Sequence, residues 1–115
     1  MKRNPFGIHT LKQYPKALRH AREVAREHGY AIGLHGSRTY DLDLIACPWS
    51  EPCSDPDSLA RAIAYRLGWY LLLYHDQTIR VTHKPFGRRG YLIYGPKHAH
   101  IDLSIMPKGV TDATV

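Results

Sequence analysis

The chain has 115 residues, 43% of them apolar and 23% charged, which is the size and balance of one folded domain and too short for a catalytic domain plus a separate substrate domain. Sixteen lysines and arginines against ten acids give a formal charge of +6, which favours an anionic partner such as a nucleotide, a nucleic acid or a phosphorylated protein. No apolar run approaches a bilayer span, residues 1–6 are basic without the apolar stretch of a signal peptide, and Cys47 and Cys53 lack the spacing of a zinc or redox hook; a soluble, cytoplasmic protein with reduced thiols and no membrane partner is expected.

Residues 1–13 hold a proline and a glycine with no clear period and read as an N-terminal arm. From 14 to 28 a helix is expected: Leu18, Ala21, Val24 and Ala25 share a face, Pro15 suits a first turn and Gly29 a C-terminal stop. Opposite them Lys12, Lys16, Arg19, Arg22 and Arg26 make a basic stripe, either a solvated face or a phosphate contact. Residues 30–35 read as a strand running into Gly36 and Ser37. Residues 41–47 read as a second strand, apolar apart from Asp41 and Asp43 and ended by Pro48, the pattern of a central strand covered on both faces.

After a loop with two prolines, Asp55 caps and Pro56 opens a helix with Leu59, Ala62, Ile63 and Leu67 at helical spacing and Gly68 as its stop. Residues 69–74 are apolar and aromatic and fit either a helical continuation or a buried strand. Residues 78–83 and 91–94 read as strands joined by 84–90, Gly95-Pro96 as a turn and 99–106 as the last strand, with a loose tail over 107–115. The order predicts a single α+β domain over 1–115, an α/β sandwich in which two helices pack on a mixed sheet of about five strands.

The densest chemistry lies in His35-Gly36-Ser37-Arg38-Thr39-Tyr40-Asp41-Leu42-Asp43. The period of two in a strand sends Asp41 and Asp43 to one face and Leu42 and Leu44 to the other. Two acids in an apolar strand are costly to bury unless paired or metal-bound. Gly36 permits close approach of backbone to a phosphate, and the Ser37 hydroxyl with nearby N–H groups can bind its oxygens. Phosphoryl and nucleotidyl transfer is mainly a problem of charge and alignment, met by Mg2+ on two or three carboxylates. His98-Ala99-His100-Ile101-Asp102-Leu103-Ser104 offers a further strand-borne acid.

Gly-Ser, a following Asp-x-Asp and a distant strand-borne Asp resemble the nucleotidyltransferase superfamily. The resemblance implies a nucleotidyltransferase-like fold with Gly36 and Ser37 on the nucleotide phosphates. It also implies Asp41, Asp43 and Asp102 around Mg2+ or Mn2+, with Asp102 activating the attacking hydroxyl, and a nucleoside triphosphate as substrate. Three residues separate Ser37 from Asp41, fewer than the family pattern, and the helical domain that usually grips base and acceptor has no counterpart. Arg38, Lys84, Arg88 and Arg89 are candidates for neutralising phosphate charge, against the plainer reading of solvated turn residues. The segments 35–37, 41–49, 84–88 and 101–107 also resemble small phage and prophage proteins, which implies kinship and a host-cell cytoplasmic setting without implying an activity.

Two other readings stay open. One is a catalytically inactive binding module of that fold, acting on nucleic acid or a host protein. The other is a metal-dependent phosphohydrolase, since His98, His100 and Asp102 are expected to alternate on one strand face and imidazole suits zinc. Tyr65, Trp69, Tyr70, Tyr74, Tyr91 and Tyr94 are core residues or, alternatively, stacking surfaces for bases.

Overall fold

Apolar residues recurring every three or four positions turn one face of the first helix, α1 (Ile8–Glu27), inward, where Tyr14, Ala17, Ala21, Val24 and Ala25 are all buried. A computed structural model describes residues 8–35, 42–69, 79–83 and 87–108 of the chain. After α1 come β1 (Tyr30–Leu34), β2 (Leu42–Pro48), α2 (Pro56–Leu67), β3 (Ile79–His83), β4 (Arg89–Tyr94) and β5 (His100–Ile105), the last preceded by a 3₁₀ turn at Pro96–His98.

The helix begins at Ile8, so the expected arm over 1–13 is corrected over its last six positions. The sequence spacing Ile8, Leu11, Tyr14, Leu18 already continues the helical period backwards. Pro15 therefore lies inside α1 and not in its first turn, at the cost of one main-chain hydrogen bond.

The second helix follows its local signals closely. Asp55 Oδ2 accepts from the Ser58 N–H at 3.1 Å and Asp55 Oδ1 accepts from the Ser58 hydroxyl at 2.8 Å, and these bonds hold the Asp55 carboxyl below the usual range. Gly68 closes the helix in the left-handed region at φ 77°. Leu59, Ala60, Ile63 and Ala64 are buried, and Arg66 reaches Glu23 at 3.1 Å and Glu27 at 3.4 Å across to α1. Such exposed pairs contribute at most about 1 kcal/mol each.

The sheet order is β1-β2-β5-β4-β3. Among the described residues only β2 and β5 run parallel, and the other three pairings are antiparallel. Leu42, Leu44 and Ala46 on β2, Ile101, Leu103 and Ile105 on β5, and Tyr91 and Ile93 on β4 form one buried cluster with the inward faces of α1 and α2. The result is the α+β arrangement of two helices on a mixed sheet. On the other face of β2, Asp43 and Ile45 are half-buried and Cys47 is exposed, so the strand is sealed on one side only among the described residues.

Trp69 is buried with its ring against the backbone of Gly95, closer than any side chain at 95 would permit. Of the stretch 69–74 that fits either helix or strand, residues 70–74 lie outside the described residues, as does the tail from 109. No described helix is long and apolar enough to cross a membrane.

Candidate functional site

The strand register decides which acids meet. In the parallel β2–β5 pair, Leu42 stands beside Ile101, Asp43 beside Asp102 and Leu44 beside Leu103. Because Leu42 and Leu44 of β2 and Ile101, Leu103 and Ile105 of β5 are buried against the helices, alternation puts Asp43 and Asp102 side by side on the opposite face, each half-buried. Two neighbouring carboxylates are the oxygen donors a hard divalent cation takes. Asp41 lies outside the described residues, and the described residues alone contain no cluster of three metal-ligating side chains.

The chain leaves β1 at the end of the sheet that carries Asp43. The His35 N–H donates to the Asp43 carbonyl at 3.0 Å, extending the β1–β2 ladder one step beyond Leu34 and Leu44. Gly36, Ser37 and Arg38 follow directly on His35 but, like Lys84, lie outside the described residues.

Flanking the acids on the same face are Leu92, the register partner of Asp102, and Tyr94, the register partner of His100. The Tyr94 and His100 rings lie 5.8 Å apart and tilted at 44°. Neither was legible as a pair in the sequence; only an assumed β4–β5 register would have matched them.

Two of the expected phosphate-binding arginines are placed elsewhere. Arg89 pairs in register with Ile105, three positions along β5 from Asp102, about 10 Å at the rise of a strand. Alternation turns Arg89 to the helix side, where its guanidinium lies 3.4 Å from Asp57 in the first turn of α2. Arg88 precedes it at the same far end, half-buried, with its Nε buried and without a hydrogen-bond partner among the described residues. His98 is also corrected: it sits in the 3₁₀ turn at φ 66°, ahead of β5, and so does not share a strand face with His100 and Asp102. The Gly95 N–H bonded to the Ala99 carbonyl at 2.6 Å closes that turn and delays the strand to His100.

On the helix side, the Tyr91 hydroxyl donates to Asp57 Oδ1 at 2.5 Å. Burial first, then that carboxylate, push the Tyr91 phenol up to about 12 from its ordinary 10.0. Burial likewise raises Tyr30, whose hydroxyl donates to the Ser54 carbonyl at 2.6 Å. A phenol whose folded value exceeds its unfolded one stabilises the fold fully below pH about 10 and loses that contribution as pH climbs toward 12. Urea denaturation midpoints should therefore fall across that window, and Tyr91→Phe should flatten the fall while lowering stability at neutrality. An unchanged alkaline slope in Tyr91→Phe would show that the Tyr91 phenol does not carry this contribution.

Comparison of the chain with protein-family models, with characterised proteins and with solved structures gives no match.

Proposed function

We propose that this chain is a small nucleotidyltransferase-like protein that binds a nucleoside triphosphate at the Asp43–Asp102 face and transfers a nucleotidyl group to an acceptor hydroxyl. The reading is carried by one observation: two acids remote in sequence stand in register on adjacent strands, beside the backbone from which Gly36 and Ser37 follow.

In the proposed reaction the acceptor oxygen forms a bond to the α-phosphorus while the bond to the pyrophosphate oxygen breaks, and pyrophosphate leaves. Asp102 accepts the hydroxyl proton. Asp41, Asp43 and Asp102 would hold Mg2+, or Mn2+ in its place, which supplies positive charge against the triphosphate. Ser37 and the main chain at Gly36 bind phosphate oxygens, with Arg38 and Lys84 as neutralising cations. Arg88 and Arg89 take no part in this reaction, because Arg89 opens β4 at the far end of the sheet and Arg88 directly precedes it.

Titration calorimetry with each ribonucleoside triphosphate is expected to show binding that requires Mg2+. In Asp43→Asn and in Asp102→Asn it should weaken at least about tenfold, some 1.4 kcal/mol, with an unchanged circular dichroism spectrum. Equal nucleotide affinity with and without the metal, and in both variants, would overturn the reading.

A further inference from the structure

The exposed positions of α1 between 14 and 27 are Pro15, Lys16, Arg19, Arg22, Arg26 and Glu27. At 3.6 residues per turn the four cations fall within an arc of roughly 120° and span about 15 Å of helix axis. The buried residues Ala17, Ala21, Val24 and Ala25 occupy the other side. Both acids on this stretch, Glu23 and Glu27, are engaged by Arg66 from α2, and His20 lies 3.6 Å from Glu23. Among the described residues no ion pair involves Lys16, Arg19, Arg22 or Arg26. Lys12 continues the series in sequence.

We infer that this face of α1 docks on the sugar-phosphate backbone of nucleic acid, independently of the Asp43–Asp102 site on the other side of the sheet. Phosphates follow one another along a strand at a few ångströms of axial rise, about 3.4 Å in B-DNA, so a row of cations over about 15 Å meets several of them. Three of the four are arginines, whose planar fork of donors fits phosphate oxygens. An anionic bilayer is the poorer match, because an interfacial helix must bury an apolar face in lipid and that of α1 is already spent on the core. A folded acidic partner would bring an apolar centre to its interface, and here Pro15 is the sole exposed apolar residue of the stretch. The contact is to backbone and carries no base selectivity.

The test is fluorescence anisotropy of the full chain with a labelled DNA duplex and a labelled RNA duplex of arbitrary sequence, between roughly 50 and 200 mM salt. Both should bind, with affinity falling steeply as salt rises. The triple variant Arg19→Gln, Arg22→Gln, Arg26→Gln should flatten the log–log salt dependence by about 2.7, at about 0.9 per phosphate contact, and weaken binding at low salt at least about tenfold. Its melting temperature should match that of the parent, since the three side chains lie outside the core. Asp43→Asn with Asp102→Asn should bind the duplexes as the parent does, which separates failure here from failure of the nucleotide site. No binding at low salt, an unchanged salt slope in the triple variant, or binding only to phosphatidylserine-containing vesicles would each overturn the inference.

Discussion

Gly29→Ala is expected to cost about 3 kcal/mol or more, a large fraction of the roughly 5–15 kcal/mol by which a domain of this size is stable. Gly29 sits at φ 89° two residues past the end of α1, where a side chain pays the left-handed penalty of about 1 kcal/mol. A Cβ there would also stand 2.6 Å from Cys53 Cβ, 2.8 Å from Cys53 Cα and 2.9 Å from Ser50 Oγ. Cys53 Cα is main chain and its Cβ is fixed to it, so this neighbour cannot swing aside. It is pinned by the Trp49 N–H to the Gly29 carbonyl at 3.0 Å, the Ser54 N–H to the His28 carbonyl at 2.9 Å, and His28 Nδ1 to Ser54 Oγ at 2.8 Å. Thermal melting should place the variant more than about 10 °C below the parent, by the usual shift of several degrees per kcal/mol.

Gly68→Ala isolates the two causes. Gly68 has a similar φ of 77°, but a Cβ added to it would have no atom within 4 Å, so it should lose only the conformational part, about 1 kcal/mol. Equal losses at both glycines would mean that the loop over 49–54 yields freely and that the clash with Cys53 carries no energy.

Leu103→Ala is expected to cost about 3–4 kcal/mol, the range for emptying a leucine site in a core that cannot collapse. Leu103 is fully buried on β5, the middle strand of the sheet, with buried Leu44 and Tyr91 as its register partners on either side. Leu92 tests the opposite face: it is half-buried beside Asp102, and Leu92→Ala should cost clearly less in the same chemical denaturation series. Losses of equal size would mean that the face bearing the two acids is as tightly filled as the core, leaving no room for a triphosphate there.

Local rules carry much of the architecture. Asp55 and Pro56 at one end and Gly68 at the other delimit α2 because caps act within one turn, between groups that are neighbours in the chain. The strands β1 to β5 are legible as short alternating or apolar runs bounded by turn residues, signals that are equally local. The start of α1 is the exception: Pro15 imitates a first-turn signal, and the helix runs on past it because the apolar period does.

The functional readings depend on which of these local patterns are combined over distance. That Asp43 belongs to an apolar strand, and Asp102 to another, is plain from the sequence, since period two needs only neighbouring residues. That the two acids stand side by side follows from the parallel register of β2 and β5, which is set by burying Leu42, Leu44, Ile101 and Leu103 together under both helices. The same tertiary constraint turns Arg89 toward Asp57 and away from the acids, and the turn at Pro96–His98 removes His98 from their face. Composition and periodicity thus determined the elements and their charged and apolar faces, while the pairing of strands, a non-local balance of core burial and ladder hydrogen bonds, decided which charges share a surface.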